Sequence, residues 1–524
     1  MSFSYQMLMR SLRAVALLST LLVLMLPVDA SAQRIVEVDP GFGTLNEAIE
    51  SDTTDAGARV DTNTVYVLQR GGLYLTDAEI ENRFPLTVVA AEGEGPRPII
   101  QPGVLTGGES SRPFTPRGDL TLRGLYITNL DELGGLNQRI VRVRLDSALV
   151  IIDDCHLDKA GQSGIRLDNA WNTVKVTNSI FSNIGRAASL DNGRGVDTRG
   201  NEVDTLWMQN NTFYNLTSRV VRDGGGFINR LIFNHNTVVN VAQHGISVGE
   251  VRTATITNNL WANVSFLGQT DSTNDGRELI GIDSLLEERG GTQFVNVKNN
   301  RFYIDPAILD VYGDSVRVTR LFDEDAEALV TAFGGTGNAV DTLAFAFTMG
   351  PAAPADLAMQ RWLGVADEEL PDMDDGGGGP DASMGQVQLP FDFSYADTEF
   401  AFTAATEGQP LGDLNWFGLD IIETASEDEV EVPATFRLLG NYPNPFNPVT
   451  TLLFELEAAS EVNVVVYDLL GRQVLTAPAT PLAPGTASVR LDASGLASGV
   501  YLYRVTAEAN GQTQVKTGRM VLLK

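Results

Sequence analysis

The sequence predicts an all-β protein, in which a right-handed parallel β-helix is followed by a small immunoglobulin-like β-sandwich at the C terminus. Two observations lead to this prediction. A short pattern of apolar strand, asparagine-rich polar pair and second apolar strand recurs along residues 120–303. After residue 435 it gives way to strand-length apolar segments separated by glycine and proline, which is typical of a β-sandwich. The chain is therefore expected to hold two architectures in succession.

The N terminus has the composition of a cleavable export signal. Arg10 and Arg13 precede an apolar run over residues 14–26, and three small residues, Ala-Ser-Ala, follow at 30–32. This order of charged, apolar and small residues predicts a signal peptide at 1–32. The apolar run is shorter than the roughly 20 residues of a membrane-spanning helix. No transmembrane segment is therefore predicted in the mature chain.

The composition limits the classes of partner. Acidic residues outnumber basic ones by 67 to 37, and the formal net charge is −30 at pH 7. Nucleic acid and anionic membranes repel a chain of this charge, so neither is predicted as a partner. The single cysteine, Cys155, excludes a disulfide-stapled scaffold, and with only three histidines it leaves no residue set for a zinc site.

The body is a repeat with the period of a β-helix coil. The aligned apolar positions are separated by 30, 24, 32, 25, 23 and 41 residues, and the longer steps are expected to carry loop insertions. A single coil cannot bury its apolar face, so coils should stack about 4.8 Å apart around one shared interior. The aligned residues are Ile127, Leu157, Phe181, Phe213, Val238, Trp261 and Phe302.

Asparagines recur at one place in each copy of the repeat. We predict that their side-chain amides form a hydrogen-bonded ladder along a tight turn that tolerates left-handed backbone geometry. His156 and His235 fall in the asparagine turns and are interpreted as substitutes in the ladder rather than as metal ligands. The predicted ladder consists of Asn129, Asn183, Asn215, Asn240 and Asn263.

The entry to the body carries a helix signal and then strands. Residues 43–49 suit a short capping helix, and 65–68 and 86–89 suit the first strands. With this G-T-L-N-E-A-I opening and its asparagine-rich coils, the body at about 34–305 resembles the pectate-lyase-like superfamily, including the chondroitinase-B-like lyases. The resemblance concerns architecture and does not by itself imply catalysis.

The coil pattern fades after Asp305. Residues 324–333 suit a surface helix, and the aromatic segment 391–417 is expected to pack back over the last coils. The acidic, glycine-rich segment 371–385 is interpreted as a solvated linker, because it lacks the twelve-residue ligand spacing of a calcium loop.

A second strand in each coil concentrates arginine on one surface, because side chains alternate between the two sides of a strand. We predict an inward column of Val141, Ile165, Val196, Val220 and Ile246. The outward column beside it is predicted to be Arg142, Arg166, Asp197, Val221 and Ser247. The next outward column is predicted to be Arg144, Asp168, Arg199, Asp223 and Gly249.

This surface favours a shallow groove for an acidic polysaccharide. Guanidinium groups bind uronate carboxylates or sulfates bidentately, and flanking aspartates can hold sugar hydroxyls or a cation. The alternative is that opposite charges on adjacent coils pair as a solvated ladder. We call the candidate residues the arginine strip: Arg142, Arg144, Arg166, Asp168, Asp197, Arg199, Arg222, Asp223 and His244.

Catalysis by the arginine strip is left open, the alternative to glycan binding or adhesion being a polysaccharide lyase or hydrolase. A lyase needs a base for the proton α to the uronate carboxyl and a cation or arginine for the enolate. Arg166, Arg199, Arg222 and His244 are the residues to test first. The body has three lysines, none of them in the strip where the lysine base of chondroitinase-B-like enzymes is expected. No catalytic residue and no cofactor are predicted, and calcium enters only under the lyase alternative.

The C-terminal segment carries four motifs in a fixed order. The first, N-Y-P-N-P-F-N-P at 441–448, has three prolines, which fix φ and remove backbone donors, so no helix starts there. The others are V-Y-D-L-L-G-R-Q-V at 466–474, S-G-V-Y-L-Y-R-V at 498–505 and G-R-M-V-L-L-K at 518–524. Strands are predicted at 462–467, 488–491, 500–505 and 518–523.

On these motifs, residues 436–524 resemble the type A C-terminal sorting domain of the type IX secretion system. The resemblance implies that an outer-membrane translocon is the partner and that the cargo reaches the cell surface or the medium, often with cleavage of the domain. A carbohydrate-binding sandwich is the alternative. The residues that carry the resemblance are Asn441, Pro443, Asn444, Pro445, Asn447, Pro448, Gly499, Tyr501 and Lys524.

The predicted organisation is a signal peptide at 1–32, a β-helix body with its acidic insert at 33–423, a linker at 424–435 and a sorting domain at 436–524. The predicted function is that of an exported β-helix that interacts with polysaccharide.

Overall fold

The computed structural model describes residues 34–524 apart from 53, 55–58, 62, 111, 187, 268–277, 290–291, 314–319, 342–344, 366–390, 422–435, 457–459, 469–471, 483–484 and 510–511. The predicted signal peptide, the acidic segment at 371–385 and the linker at 424–435 lie outside the described residues.

Residues 34–341 form a parallel β-helix with three faces, and strands of one face pair in parallel with those of the next coil. Face 1 consists of β1 (Arg34–Val38), β3 (Thr64–Leu68), β5 (Leu86–Ala90), β7 (Leu120–Arg123), β10 (Leu149–Asp153), β13 (Asn172–Thr177), β16 (Val203–Gln209), β19 (Phe227–Asn234), the second part of β21 (Ile246–Thr257) and β24 (Phe294–Lys298). Face 2 consists of β2 (Gly41–Phe42), β4 (Leu73–Thr76), β6 (Ile99–Pro102), β8 (Tyr126–Thr128), β11 (His156–Ala160), β14 (Ile180–Ile184), β17 (Thr212–Leu216), β20 (Thr237–Val241), β22 (Leu260–Val264), β25 (Arg301–Tyr303) and β27 (Ala339–Asp341). Face 3 consists of β9 (Arg139–Val143), β12 (Ser163–Leu167), β15 (Arg194–Asp197), β18 (Arg219–Arg222), the first part of β21, β23 (Glu278–Asp283) and β26 (Arg320–Phe322). Strand β21 pairs with both β18 and β19, so it joins faces 1 and 3 into one sheet.

The interior follows the predicted register. Along face 2 the seven aligned apolar residues pair coil by coil, from Ile127 opposite Leu157 to Trp261 opposite Phe302. Each of them is at most 1% exposed. Aromatic rings stack between coils, with 5.1 Å between the Phe181 and Phe213 centroids. The parallel β-helix predicted from the repeat is therefore confirmed.

The predicted asparagine ladder forms at the end of the face 2 strands. The Nδ2 atoms of Asn215, Asn240 and Asn263 each donate to the Oδ1 atom of the preceding ladder residue, over 3.1, 3.2 and 3.0 Å. The ladder begins at Asn183, and all four residues have φ between 53° and 56°. The prediction for Asn129 is wrong: its side-chain nitrogen and oxygen are buried without a hydrogen-bond partner among the described residues. The physical reason is that the next coil carries Lys159 at this position, which has no amide to continue the ladder.

A second ladder, which the sequence analysis did not separate from the first, lies inside the turn from face 1 to face 2. Here each Oδ1 atom accepts from the amide of the coil before it, as in Asn236 N to Asn259 Oδ1 at 2.8 Å. All but one of the side chains are fully buried, the last being half-buried, so the amides satisfy backbone groups that water does not reach. We call this the inner ladder; its residues are Asn211, Asn236, Asn259, Asn300 and Asn338.

The two turn histidines have different roles. His235 has φ 52° and occupies the same left-handed turn position as Asn210 and Asn258, so it lies in an asparagine turn as predicted. Its Nδ1 atom lies 3.2 Å from Gly412 O of the segment that covers face 2, so its ring bonds that segment instead of a ladder neighbour. The interpretation of His156 is wrong. His156 is the first residue of β11, opposite Ile180, and its Nε2 atom lies 2.7 Å from the hydroxyl of Ser182.

Helices close the ends of the body, and a strap covers face 2. Helix α1 (Thr44–Ser51) lies at the predicted capping position, and α3 (Glu324–Ala332), capped by the Asp323 side chain, lies at the predicted surface helix. The other helices are α2 (Pro306–Tyr312) and α4 (Ala355–Trp362). Residues 391–421, which we call the strap, pack on the outside of face 2 through an aromatic cluster, as the sequence predicted.

Asp413 holds the strap to the body. Its carboxylate accepts hydrogen bonds from Thr212 Oγ1 at 2.8 Å and from Asn415 N at 3.0 Å. Its backbone N donates to Thr237 Oγ1 at 2.9 Å. Burial raises the pKa of Asp413 from the ordinary 3.8 to about 7, although these hydrogen bonds lower it.

We expect this carboxyl to make stability depend on pH. Between about pH 4 and pH 7 the folded chain holds a proton on Asp413 that the unfolded chain has released, so its contribution to stability falls as pH rises through this window. Asp413→Asn should make the slope of unfolding free energy against pH shallower by up to about 1.4 kcal/mol per pH unit. Thermal and denaturant unfolding between pH 4 and pH 8 would measure it.

Other carboxyls with raised pKa values, Asp158, Asp223, Glu278, Asp283 and Asp323, bear on the same measurement. Burial raises the pKa of Asp158 and of Asp323 to about 6, so part of the slope should remain in Asp413→Asn. An unchanged slope in the variant would contradict the assignment to Asp413.

The C-terminal domain folds as two antiparallel sheets around one apolar core, as predicted. One sheet consists of β28 (Phe436–Tyr442), β29 (Val449–Leu456) and β32 (Gly485–Asp492). The other consists of β31 (Gln473–Leu482), β30 (Ser460–Tyr467), β33 (Gly499–Ala509) and β34 (Gln512–Leu522).

Candidate functional site

The arginine strip lies on the outside of face 3. Arg142 is opposite Arg166, which is opposite Asp197, and Asp197 is opposite Arg222. The prediction that Val221 occupies this outward column is wrong, because Val221 lies opposite the inward residues of the neighbouring coils and is fully buried. The N–H groups of Val220 and Val221 both point at the carbonyl of Gly245, which marks a bulge that shifts the strand by one residue. Arg222 therefore stands where Val221 was predicted.

Two buried or half-buried aspartates each bind two arginines. Asp168 accepts from Arg142 Nε at 2.5 Å and from Arg166 Nε at 2.6 Å. Burial raises the pKa of Asp168, but these two hydrogen bonds and the positive charges of the two arginines lower it by more, so the pKa lies below its ordinary value. Asp197, which is fully buried, accepts from Arg194 at 3.0 Å and from Arg222 at 3.2 Å. Ion pairing between coils is therefore present within the strip.

Three further arginines line the strip that the sequence analysis did not single out: Arg139, Arg194 and Arg219. They stand at the first position of strands β9, β15 and β18, in one register. Strict alternation puts residues three apart on opposite sides of a strand, so Arg139 and Arg142 were not expected on one surface. The recurrent spacing of Arg139 and Arg142, and of Arg219 and Arg222, was the signal that could have found them.

The ion pairs do not neutralise the positive charge of this surface. Burial and the neighbouring guanidinium groups of Arg166, Arg142 and Arg112 lower the pKa of Arg139 to about 10. Burial and the charges of Arg222 and Arg194 likewise lower the pKa of Arg219. Residues 139–144, 163–168, 191–199 and 219–223 of this surface carry eight arginines against four aspartates, and the acidic Glu278 lies beside them on β23. The arginines are Arg139, Arg142, Arg144, Arg166, Arg194, Arg199, Arg219 and Arg222, and the aspartates are Asp168, Asp191, Asp197 and Asp223.

The remaining predicted strip residues lie around this cluster. Arg144 and Arg199 follow the ends of β9 and β15, Arg144 half-buried and Arg199 exposed in a left-handed turn with φ 64°. Asp223 turns inward to accept from the N–H groups of Gly225 and Gly249 at 2.8 and 2.5 Å, so it stabilises a turn. His244 Nδ1 lies 3.7 Å from Glu278 Oε1. Of the nine predicted residues, the structure brings Arg142, Arg166 and Asp168 into one cluster and Asp197 and Arg222 into the next.

The described residues include no group of three or more His, Cys, Asp or Glu side chains arranged to hold a metal ion. None of the helices described has the length and apolar character needed to cross a membrane.

The first and last C-terminal motifs meet in space. Asn444 Oδ1 accepts from Val521 N at 2.9 Å, and its Nδ2 donates to Arg519 O at 3.3 Å. Phe446 pairs with the last strand on both sides, donating to Val521 O and accepting from Leu523 N, each at 2.9 Å. The chain's first motif is therefore bound along its final strand.

The other predicted motif residues support the same end of the domain. Gly499 lies opposite Leu522, and Tyr501 donates from its hydroxyl to Ala497 O at 2.8 Å. The Lys524 ammonium donates to Ser494 O at 2.6 Å. Asn441 donates to Thr450 Oγ1 at 3.0 Å, and Pro443, Pro445 and Asn447 are exposed beside the half-buried Pro448.

Comparison with known families identifies this domain: residues 441–517 match the secretion system C-terminal sorting domain. The chain ends in a type IX sorting domain. The sorting domain indicates export across the outer membrane to the cell surface or the extracellular space, handled by the type IX secretion machinery. No curated protein matches the chain.

Proposed function

We propose that the exported body binds an acidic polysaccharide through the arginine strip, without catalysis, as a glycan-binding or adhesion protein. The observation that carries the proposal is the excess of arginine over aspartate on one face of a chain whose net charge is −30. An ion-pair ladder alone would need about as many acids as bases. Export to the cell surface, where polysaccharide is abundant, supports it as well. We further propose the division into a signal peptide at 1–32, a body at 33–423, a linker at 424–435 and a sorting domain at 436–524.

The accessible guanidinium groups are those that would meet a ligand. The side chains of Arg142 and Arg222 are 24% and 28% exposed, and each uses only some of its five N–H donors to bind an aspartate. Arginine presents two parallel N–H groups to a carboxylate or sulfate, which favours uronates and sulfated sugars over neutral ones.

The double variant Arg142→Gln, Arg222→Gln tests the proposal, because it removes the two accessible guanidinium groups. We expect its affinity for the acidic glycans that wild type retains to fall roughly tenfold to a hundredfold, because each charge-assisted contact contributes on the order of 1.5–3 kcal/mol and part of it is screened by solvent. Glycan arrays followed by titration at two salt concentrations would measure it. Arg123→Gln is the matched control, since it removes an exposed arginine of face 1, 56% exposed and paired with Asp153.

The outcomes separate the proposal from its alternative. Equal binding by the double variant and wild type would mean that the arginines form only a structural ladder. Thermal unfolding of the variants must accompany the titration, because the substitutions leave Asp168 and Asp197 with one arginine partner fewer each.

A lyase acting on an acidic glycan is the second candidate, and Arg139 is the observation that favours it. At a given pH, a buried arginine with a pKa lowered to about 10 has a larger fraction in the neutral, proton-accepting form than an ordinary arginine has. Incubation with pectate, alginate and chondroitin sulfate, with and without calcium, followed by absorbance from unsaturated uronate ends, distinguishes the two candidates. Retention of glycan without this absorbance supports the binding protein.

A further inference from the structure

Trp171 is an exposed tryptophan on a strained backbone. It lies in the turn that leads from face 3 to β13 of face 1, with φ 59° and 43% of its surface exposed. Among the described residues other than glycine, Trp171 is the only one that combines a large apolar side chain with a positive φ. A bulky residue in this region of φ is an outlier, and backbone outliers of this kind cluster at functional sites.

The turn itself does not require tryptophan. One coil earlier, Ser147 occupies the same position with φ 59°, two residues before the paired strand residues Leu149 and Thr173. The backbone N–H groups of both turns bind the next coil, Ser147 to Ala170 O at 2.9 Å and Trp171 to Glu202 O at 2.6 Å. The same backbone geometry is therefore built with serine in one coil and tryptophan in the next. Neither the turn nor the interior of the β-helix accounts for the indole.

The ring belongs to an aromatic and cationic cluster at the edge between faces 1 and 3. Its centroid lies 6.3 Å from that of Phe227, in an edge-to-face arrangement. The guanidinium groups of Arg289 and Arg252 lie over the other ring at 4.8 and 5.4 Å. Arg289 is oriented by Glu202 at 2.6 Å. Phe227 is 3% exposed, so it supports the cluster from below while the indole faces solvent.

This edge is continuous with the arginine strip. Trp171 follows Asp168 by three residues, so the two Cα atoms are at most about 10 Å apart. Asp168 holds Arg142 and Arg166. A polymer bound to the strip would reach the indole within a few monomers.

We propose that Trp171 is a stacking subsite for a sugar ring beside the arginine strip, and that the ligand is therefore a uronate polysaccharide. The apolar face of a pyranose packs against the indole while the arginines bind carboxylates of the same chain. A polyanion without rings, such as polyphosphate, would use only the arginines. This inference rests on the proposed function and adds the class of ligand to it.

Three variants of the full exported chain test the subsite. Trp171→Asn suits the left-handed turn better than tryptophan does, so its midpoint of thermal unfolding should equal or exceed that of wild type. Its affinity for oligogalacturonate, alginate oligomers or chondroitin sulfate, whichever wild type binds, should fall roughly fivefold to tenfold. Trp171→Phe should keep affinity within about threefold but lose the ligand-induced change in tryptophan fluorescence. Trp207→Phe, on face 1, is the control and should keep both.

Polyphosphate and single-stranded oligothymidylate serve as competing probes. Polyphosphate binding should be the same in wild type and Trp171→Asn. Oligothymidylate bases also stack on aromatic rings, so binding of this probe as tight as that of the uronates would overturn the assignment to sugar.

The results also distinguish this inference from the proposed function. Wild-type affinity in Trp171→Asn, together with loss of binding in Arg142→Gln, Arg222→Gln, would overturn the subsite alone. Failure of wild type to bind any of the three glycans would overturn both.

Discussion

Deletion of residues 436–524 is expected to abolish delivery of the body to the cell surface and the medium. The body should then accumulate on the inner side of the outer membrane, because residues 441–517 match the sorting domain that the type IX machinery handles. The deletion should leave the body folded, since the interior of the β-helix and the core of the sorting domain form separate apolar clusters. Cell fractionation and immunoblotting in a host with a type IX system would measure the location.

A smaller change within the domain gives the matched test. Asn444→Ala removes the side-chain contacts that hold the first motif to Val521 and Arg519, and should reduce export strongly without removing the domain. Arg490→Ala, on β32, is the control and should export normally. Body protein found in the medium after deletion of 436–524 would contradict the role assigned to the domain.

The second large effect is expected in the inner ladder. Asn259→Ala should lower the free energy of unfolding of the body by about 3–5 kcal/mol, because buried groups left without partners cost about 1–3 kcal/mol each. The Asn259 Oδ1 atom accepts from both the N and the Nδ2 of Asn236, at 2.8 and 3.1 Å. Its Nδ2 donates to Phe233 O and Asn300 Oδ1, each at 2.9 Å. Denaturant unfolding would measure the loss.

The control for the ladder is an asparagine outside it. Within the described residues, the Asn192 side chain bonds Ser189 alone, at 2.9 Å near the surface, so Asn192→Ala should change stability by less than about 0.5 kcal/mol. Similar losses of unfolding free energy in Asn259→Ala and Asn192→Ala would show that an amide of the inner ladder contributes no more to stability than an ordinary amide does.

The β-helix could be predicted because its interior repeats in the sequence. The apolar column from Ile127 to Phe302 needs only the coil period, and each of its members pairs as aligned. The one-residue error at Val220 and Val221 has a different origin. Both residues are valine and both are buried, so only the bulge, formed by their shared acceptor Gly245, decides which of them lies in register.

Contacts between distant parts of the chain were harder to predict. The aromatic content of 391–417 indicated a segment that packs on the coils, but not that Asp413 would be buried against Thr212, 201 residues earlier. In the candidate site, the sequence pattern correctly placed Arg142 and Arg166 in the outward column of face 3. It missed Arg139, Arg194 and Arg219, because a strand with a bulge at its start does not alternate strictly.

The inner ladder also bears on how proteins of this shape change in length during evolution. Each amide is both donor to one neighbour and acceptor from the other, so the bonding pattern is the same at every step along the stack. Duplication of a gene segment that encodes one whole coil, 23 to 32 residues in most copies here, would therefore add one more amide to the ladder, and that amide would find a donor and an acceptor in its new neighbours. Insertions of other lengths would have to be accommodated in loops. Homologues should therefore differ in size by whole coils or by loop growth, with the amide stack preserved.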